Sequence, residues 1–319
     1  MLIRRQVIGA AALAVAGRAR ADTFPARQIR WVIPFAPGGN YDVTSRLVGE
    51  PMGRQLGQTV LIDNKPGAGG VVGLEIALAQ PADGYTITMA SFTVGYVAPI
   101  FAGKQQMLTA MAPVSILTTT PTLIVTRADS RFADIKSALA EAKAKPGTVS
   151  IGHSGNGTIN HIGILRLQAN EDVKFNIIPY KGSGPGLADL MAGQIDLYTD
   201  QLTTSLPHIK AGKLKPLLIL GPDRISQLPN APGLKDIGSK PFDASTTAGV
   251  LARAETPAAA LDVLNAAVVA ALKDEEVVRK LVDLGAEVRP TSRADFAAHL
   301  KDMEAVVAEL VKSGLLKPE

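Results

Sequence analysis

Cysteine is absent from the 319 residues. That excludes disulfides, thiolate nucleophiles, cysteine-ligated zinc and a lipid-modified N-terminal cysteine. Histidine is scarce, with four copies. The nearest pair, His153 and His161, has no third ligand at a useful spacing, so no metal centre is expected. Aromatic residues make up 4% of the chain, with a single tryptophan. No basic stripe interleaved with aromatics occurs, which leaves nucleic acid without a footprint. No phosphate loop ending in Gly-Lys-Ser/Thr is present. The glycine run Pro66–Gly73 misses the dinucleotide pattern, because the third glycine position is Val72 and the expected acid is Phe92. No cofactor is expected. Long apolar runs are lacking too: Val7–Ala16 is too short to span a bilayer.

That short run has another use. Arg4-Arg5 precede it, and Ala19-Arg20-Ala21 follows with a small-x-small pattern. Residues 1–21 read as a secretory signal cleaved after Ala21. Arg4-Arg5-Gln6-Val7-Ile8 is also compatible with twin-arginine export. The full chain has 33 Lys+Arg against 29 Asp+Glu and a pI near 9.2. Loss of Arg4, Arg5, Arg18 and Arg20 leaves 29 of each sign, so the mature protein is formally neutral. The expected location is an exported compartment, most simply a bacterial periplasm.

With 46% hydrophobic content the chain can bury a large core. Short apolar runs near 29–34, 59–62, 85–89, 112–118, 122–126, 148–151, 176–178, 195–197 and 215–220 read as strands. Helical patterns near 41–56, 70–79, 134–144, 158–169, 183–192 and 203–211 fall between them. Such alternation predicts an α/β fold of mainly parallel sheets covered by helices. Asp134, Thr256-Pro257 and Ser292-Arg-Ala-Asp295 are helix-start signals. Pro51 should kink or split the first helix near Glu50. The helix-rich C-terminal part is expected to pack back on the first lobe. The boundaries are then 22–121 plus 246–319 for one lobe and 122–245 for the other, with two crossings as a hinge and the cleft as the ligand site.

What the chain does have is glycine at strand ends. Pro34–Arg46, "PFAPGGNYDVTSR", leaves a strand through a bare loop and enters a helix. Helix starts offer unpaired N–H donors and a partial positive charge. The loop is either an anion site made of backbone or an ordinary turn. A second loop, Ile151–His161, "IGHSGNGTINH", repeats the arrangement. Gly152-His153-Ser154 resembles a nucleophile elbow, but the fifth position is Asn156 rather than glycine. The other reading is that Ser154, Gly155, Asn156, Gly157 and Thr158 face the first loop across a cleft and hold a carboxylate without arginine. His161 reads as a local hydrogen-bonding residue, and Asp42 as a helix capper rather than a general base. Tyr180-Lys181-Gly182 and Asp200-Gln201 either line the cleft or form structural turns.

Six segments then agree in order with one family. "IPFAPGGNYDVTSR", "LGQTVLIDNKPGAGGVVG", "PADGYTI", "IGHSGNGTINH", "IPYKGSGPGLADLMAGQIDL" and "LPHIKAGKLKPLLI" resemble the receptors of tripartite tricarboxylate transporters, the Bug family. The resemblance implies a type II periplasmic-binding fold that closes around a small carboxylate and delivers it to a membrane permease. It implies that Phe35, Pro37, Gly38, Gly39, Asn40, Tyr41 and Asp42 grip the ligand carboxylate together with Ser154–Thr158, partly through water. Ser91, Phe92 and Thr93 with Asp200 and Gln201 would line the rest of the pocket. Three departures stand out: Gln105–Ala110 where an acidic stretch is usual, Thr246-Thr247 where an aromatic is frequent, and Val306-Val307 where a tryptophan is expected. The expectation is a non-enzymatic, monomeric carboxylate receptor. The competing readings are a secreted hydrolase using Ser154 and a sensor that hands its closed form to a membrane kinase.

Overall fold

The computed structural model describes residues 24 to 312 and Gly314. The expected signal segment, residues 1–21, lies outside them. Among the described residues, eleven strands form two sheets. One holds β1 (Ile29–Ile33), β2 (Val60–Asn64), β3 (Thr86–Ser91), β4 (Met111–Thr120), β10 (Thr246–Arg253) and β11 (Glu287–Val288), in the order β11-β4-β10-β3-β1-β2. The other holds β5 (Thr122–Arg127), β6 (Ser150–His153), β7 (Asn176–Pro179), β8 (Leu197–Gln201) and β9 (Leu214–Ile219), in the order β7-β6-β8-β5-β9. The chain passes between sheets at Pro121 and returns between β9 and β10. The molecule is an α/β, two-lobed periplasmic-binding-protein fold of type II, with two crossings and a cleft between the lobes.

The sheets are mixed rather than mainly parallel. β1 pairs in parallel with β2 and β3, and β6 with β7 and β8. The strands flanking the crossings, β4, β5, β9 and β10, pair antiparallel with their neighbours. The strands that enter a lobe from the other one, β5 and β10, start at the cleft and so run against their neighbours on both sides, which alternation of strand and helix does not reveal.

Apolar density in β1 follows from burial on both faces. Ile29, Trp31, Val32 and Ile33 are wholly buried. Helix Ala258–Ala271 covers this sheet with Leu261, Leu264, Val268 and Ala271, spaced at helical period. It brings the C-terminal region onto the first sheet. Helix Asn40–Leu56 continues through Pro51 without a break. The proline deletes the N–H that would reach the Leu47 carbonyl, but the buried Val48 and Met52 on either side hold the helix to the sheet. Asp134 caps its helix by accepting from Ser137 N–H at 2.8 Å. Ser292 and Asp295 bond side chain to side chain at 2.7 Å. Helix Ala258–Ala271 begins one residue after Pro257.

The lobes are closed on each other. Ala36 N–H donates to the Lys181 carbonyl at 3.0 Å, and the Phe101 ring meets His161 edge-on at 5.3 Å. Val307 is buried with Phe92, Val97 and Ile162 in a small cluster that joins both lobes. Phe92 and Tyr96 stack at 4.9 Å in the same cluster.

Candidate functional site

Both glycine loops border one small interlobe cavity, with room for little more than a water molecule. Gly39, Asn40 and Tyr41 reach it from the first loop, and Ser154, Thr158, Ile159 and Asn160 from the second. Helix Asn40–Leu56 starts at Gly39 with no side chain capping it, and helix Ile159–Glu171 starts at Thr158, also uncapped. First-turn amides of a helix have no partner within the helix. Two such ends, one per lobe, therefore present donors and partial positive charge to one space. Among the described residues, no charged side chain lines the cavity.

The second loop supplies this differently from the sequence reading. Gly155 N–H donates to His153 Nδ1 and Gly157 N–H to His161 Nδ1, each at 3.2 Å. These two amides are committed to the imidazoles and are not free for an anion. The rings stack at 4.5 Å, 12° from parallel, inside the protein. Burial pushes His153 down to about 3, helped by neighbouring His161, and burial pushes His161 down to about 4. Both rings are neutral at ordinary pH, as acceptors at Nδ1 must be.

The bareness of the loops serves the closure of the lobes. A methyl on Gly157, whose φ is +76°, would sit 2.4 Å from Ala98 Cα across the cleft. One on Gly69 would sit 2.1 Å from the Asn156 carbonyl oxygen. Backbone meets backbone here with no room for a side chain.

Asp42 faces away from the cavity. Its carboxylate accepts from Gly38 N–H at 2.9 Å and from Arg46 Nε at 3.0 Å. Burial works to raise its pKa, but bonds from Arg46, Gly38 and Asn64 prevail and hold it below the usual value. It braces the loop. Pro37, Gly38 and Asn156 are exposed, and Gly155 and Gly157 are buried behind the lining. Phe35, Ser91 and Thr93 line the cavity, whereas Phe92 lines an adjoining one. Tyr180 donates its hydroxyl to Asp189 at 2.9 Å, and Lys181 is exposed, so neither side chain reaches the cavity.

Asp200 and Gln201 close β8 rather than follow it, and they part company. Asp200 is wholly buried and accepts from Thr204 and Ser205 hydroxyls. Burial raises its pKa, against those hydroxyls. Gln201 lines the cavity and donates to Asn160 Oδ1 at 2.8 Å and Thr246 Oγ1 at 3.1 Å. Ser154 donates to the same Asn160 oxygen at 3.1 Å. Asn160, Ser183 and Thr246 are lining residues that the sequence reading missed, although Thr246 was marked as a departure. Their signal was position alone, next to a recognised loop or crossing.

Two buried side-chain atoms in the lining have no partner: Asn40 Nδ2 and the Tyr41 hydroxyl. An unpaired buried polar group costs about 1–3 kcal/mol. Unpaired groups in a cavity between uncapped helix ends are suited to a bound polar molecule. Ser154 is not arranged as a nucleophile. Among the described residues it bonds neither histidine nor carboxylate, and it does not have the positive φ of a strained elbow.

The sequence profile described as "Tripartite tricarboxylate transporter family receptor" matches residues 44–314. The chain belongs to that family. This receptor is 36% identical over 290 residues to the UPF0065 protein in the tcbD-tcbE intergenic region of Pseudomonas sp. strain P51, covering 88% of this chain and 86% of that one. It superposes on the periplasmic binding protein BugD with a TM-score of 0.87 at 29% identity, over 93% of this chain and all (100%) of that one. It superposes on MatC of Rhodopseudomonas palustris with bound malate at 0.83 and 29%, over 88% and 97%. The receptor family consists of solute-binding proteins of the periplasm rather than enzymes. No helix among the described residues is long and apolar enough to cross a membrane.

Proposed function

We propose that the chain is an exported receptor that closes around a small carboxylate and presents it to a tripartite tricarboxylate-type permease. The observation that carries this is the pair of uncapped helix N-termini, one from each lobe, with Asn40 Nδ2 and the Tyr41 hydroxyl unpartnered between them. A helix end contributes roughly 0.3–2 kcal/mol to a nearby anion, depending on burial. Two ends plus hydrogen bonds reach the scale of micromolar binding, about −8 kcal/mol. The bound malate in MatC supports the same ligand chemistry.

In this reading residues 22–121 with 246–319 move as one body and 122–245 as the other, hinged at Pro121 and before Thr246. Ligand favours the closed form, and that form is what the permease binds. The protein works as a monomer in the periplasm after loss of residues 1–21. Of the lining residues, Gly39, Asn40, Tyr41, Thr158 and Asn160 hold the carboxylate. Ser91, Thr93 and Gln201 shape the rest.

Thermal denaturation against a carboxylate panel, with mass spectrometry of the same samples, tests the reading. A true ligand at 100 times its dissociation constant adds about 2.7 kcal/mol of stability and is recovered intact. A carboxylate that is consumed, with turnover lost in Ser154→Ala, would overturn it in favour of an enzyme.

A further inference from the structure

Asn156-Gly157 is the one asparagine-glycine pair in the chain. It sits at the tip of the second glycine loop, just before helix Ile159–Glu171. Asparagine is chemically labile because the main-chain nitrogen of the next residue can attack its amide carbon. A side chain on that next residue obstructs the approach, and glycine has none. Asn156 is exposed, so water and hydroxide reach it.

The same loop touches the facing lobe through main chain. A methyl on Gly69 would sit 2.1 Å from the Asn156 carbonyl oxygen, and one on Gly155 would sit 2.8 Å from Gly69 Cα. A methyl on Gly157 would sit 2.4 Å from Ala98 Cα. The Gly157 N–H is tied to His161 Nδ1 at 3.2 Å, and the His161 ring meets Phe101 of the facing lobe. Close-packed surfaces of this kind do not absorb an extra methylene.

We propose that Asn156 is a self-modification site, converted through a cyclic imide to aspartate and isoaspartate while the lobes are apart, and that the isoaspartyl loop no longer closes. Hydroxide removes the Gly157 amide proton, and the nitrogen bonds to Asn156 Cγ. The Cγ–Nδ2 bond breaks, and the side-chain nitrogen leaves as ammonia with a proton from water, which restores the hydroxide. The imide nitrogen carries no proton, so its bond to His161 is lost. Water then opens the ring. Attack at Cγ gives aspartate, with a new negative charge. Attack at the main-chain carbon gives isoaspartate, in which the chain runs through Cβ and Cγ and is one methylene longer. Closure protects the site, because forming the ring must turn the peptide that is held between Gly69 and Ala98. The inference concerns closure, whatever the ligand.

Peptide mapping by mass spectrometry of the full protein held at mildly alkaline pH tests it. Residue 156 should convert before any other asparagine and faster as pH rises, and Asn156→Gln should lose the product. The isoaspartyl fraction, separated by chromatography, should exchange the Ala36 amide for deuterium about tenfold faster than native protein. That N–H bonds to the Lys181 carbonyl only while the lobes are together. Freshly prepared Asn156→Asp adds the charge without the length, and its exchange should stay within about twofold of native. An intact Asn156 after other asparagines have converted would overturn the site. Native exchange at Ala36 in the isoaspartyl protein, or an equal rise in Asn156→Asp, would overturn the block on closure.

Discussion

The Thr203 hydroxyl of one lobe donates to Asn40 Oδ1 of the other at 2.7 Å, inside the closed cleft. Asn40 begins the helix at the first glycine loop, and Thr203 lies in the first turn of helix Leu202–Lys210. The bond fixes the Asn40 amide so that Nδ2 faces the cavity. It exists only while the lobes are together.

Thr203→Val keeps the shape and removes the donor, leaving Asn40 Oδ1 unpaired in the closed form. A net loss of about 0.5–1.5 kcal/mol is typical for such a bond. Ligand affinity should fall up to about tenfold in calorimetry, while the ligand-free Tm moves little. An equal loss of stability with and without ligand would place the bond's value in the fold rather than in closure.

Two glycines separate backbone strain from lobe contact. Gly157 and Gly103 both have positive φ, +76° and +68°. A methyl on Gly103 meets nothing within 4 Å, while one on Gly157 runs into Ala98 of the facing lobe. Alanine at either site should cost about 1–2 kcal/mol of stability through the left-handed conformation. Only Gly157→Ala should also lower ligand affinity, by about tenfold or more, the equivalent of about 1.4 kcal/mol. Small-angle scattering of that variant at saturating ligand should retain the larger radius of an open molecule. Matched affinities for the two variants would rule out steric control of closure.

The histidine pair sets a pH dependence. Both rings have native pKa values, about 3 and about 4, that lie below the 6.5 of an unfolded chain. Between those values the unfolded chain binds more protons than the native one. Stability is therefore fully present above pH 6.5 and falls as pH drops toward 4. With two protons at stake the slope approaches about 2.7 kcal/mol per pH unit near pH 5. His299, also lowered, adds in the same direction. Protonation removes the Nδ1 acceptors from Gly155 and Gly157, so the second loop should loosen as stability is lost. Urea midpoints from pH 7 to 4.5 check this. His161→Gln should flatten the curve by about half, since it removes one titrating ring and lets its partner titrate more normally.

Much of this site was legible in the sequence because it is built from contiguous backbone. A strand, a glycine loop and a helix start specify an uncapped helix N-terminus locally, so the loops at Gly39–Tyr41 and Ser154–Thr158 pointed to one cleft before any contact was known. Groups supplied across the fold were not legible. That Gly155 and Gly157 donate to His153 and His161 depends on two rings stacking, which no spacing of eight residues announces. The antiparallel pairings of β4 and β10 were missed because direction in a crossing strand is a property of the whole chain path. Pro51 misled because a local breaking tendency of about 3 kcal/mol was weighed without the buried face that opposes it.

The last test sets a side chain that lines the cavity against one beside it. The Tyr41 hydroxyl is buried near Ser91 without meeting hydrogen-bond geometry, and burial raises its pKa far above the usual value. Buried in the cleft without a protein partner, that hydroxyl is a cost. Tyr41→Phe should therefore hold or raise the ligand-free Tm. If the hydroxyl donates to the ligand, the same change should weaken binding about 5- to 20-fold, matching a bond of roughly 1–2 kcal/mol. Lys181→Ala offers the contrast: its side chain is exposed, and the loop acts through its carbonyl, which accepts from Ala36. Affinity there should stay within about twofold, the limit for an exposed charge of this kind. A Tyr41→Phe protein that melts earlier and binds normally would make Tyr41 a packing residue, and an affinity loss in Lys181→Ala instead would shift the grip from helix ends to charge.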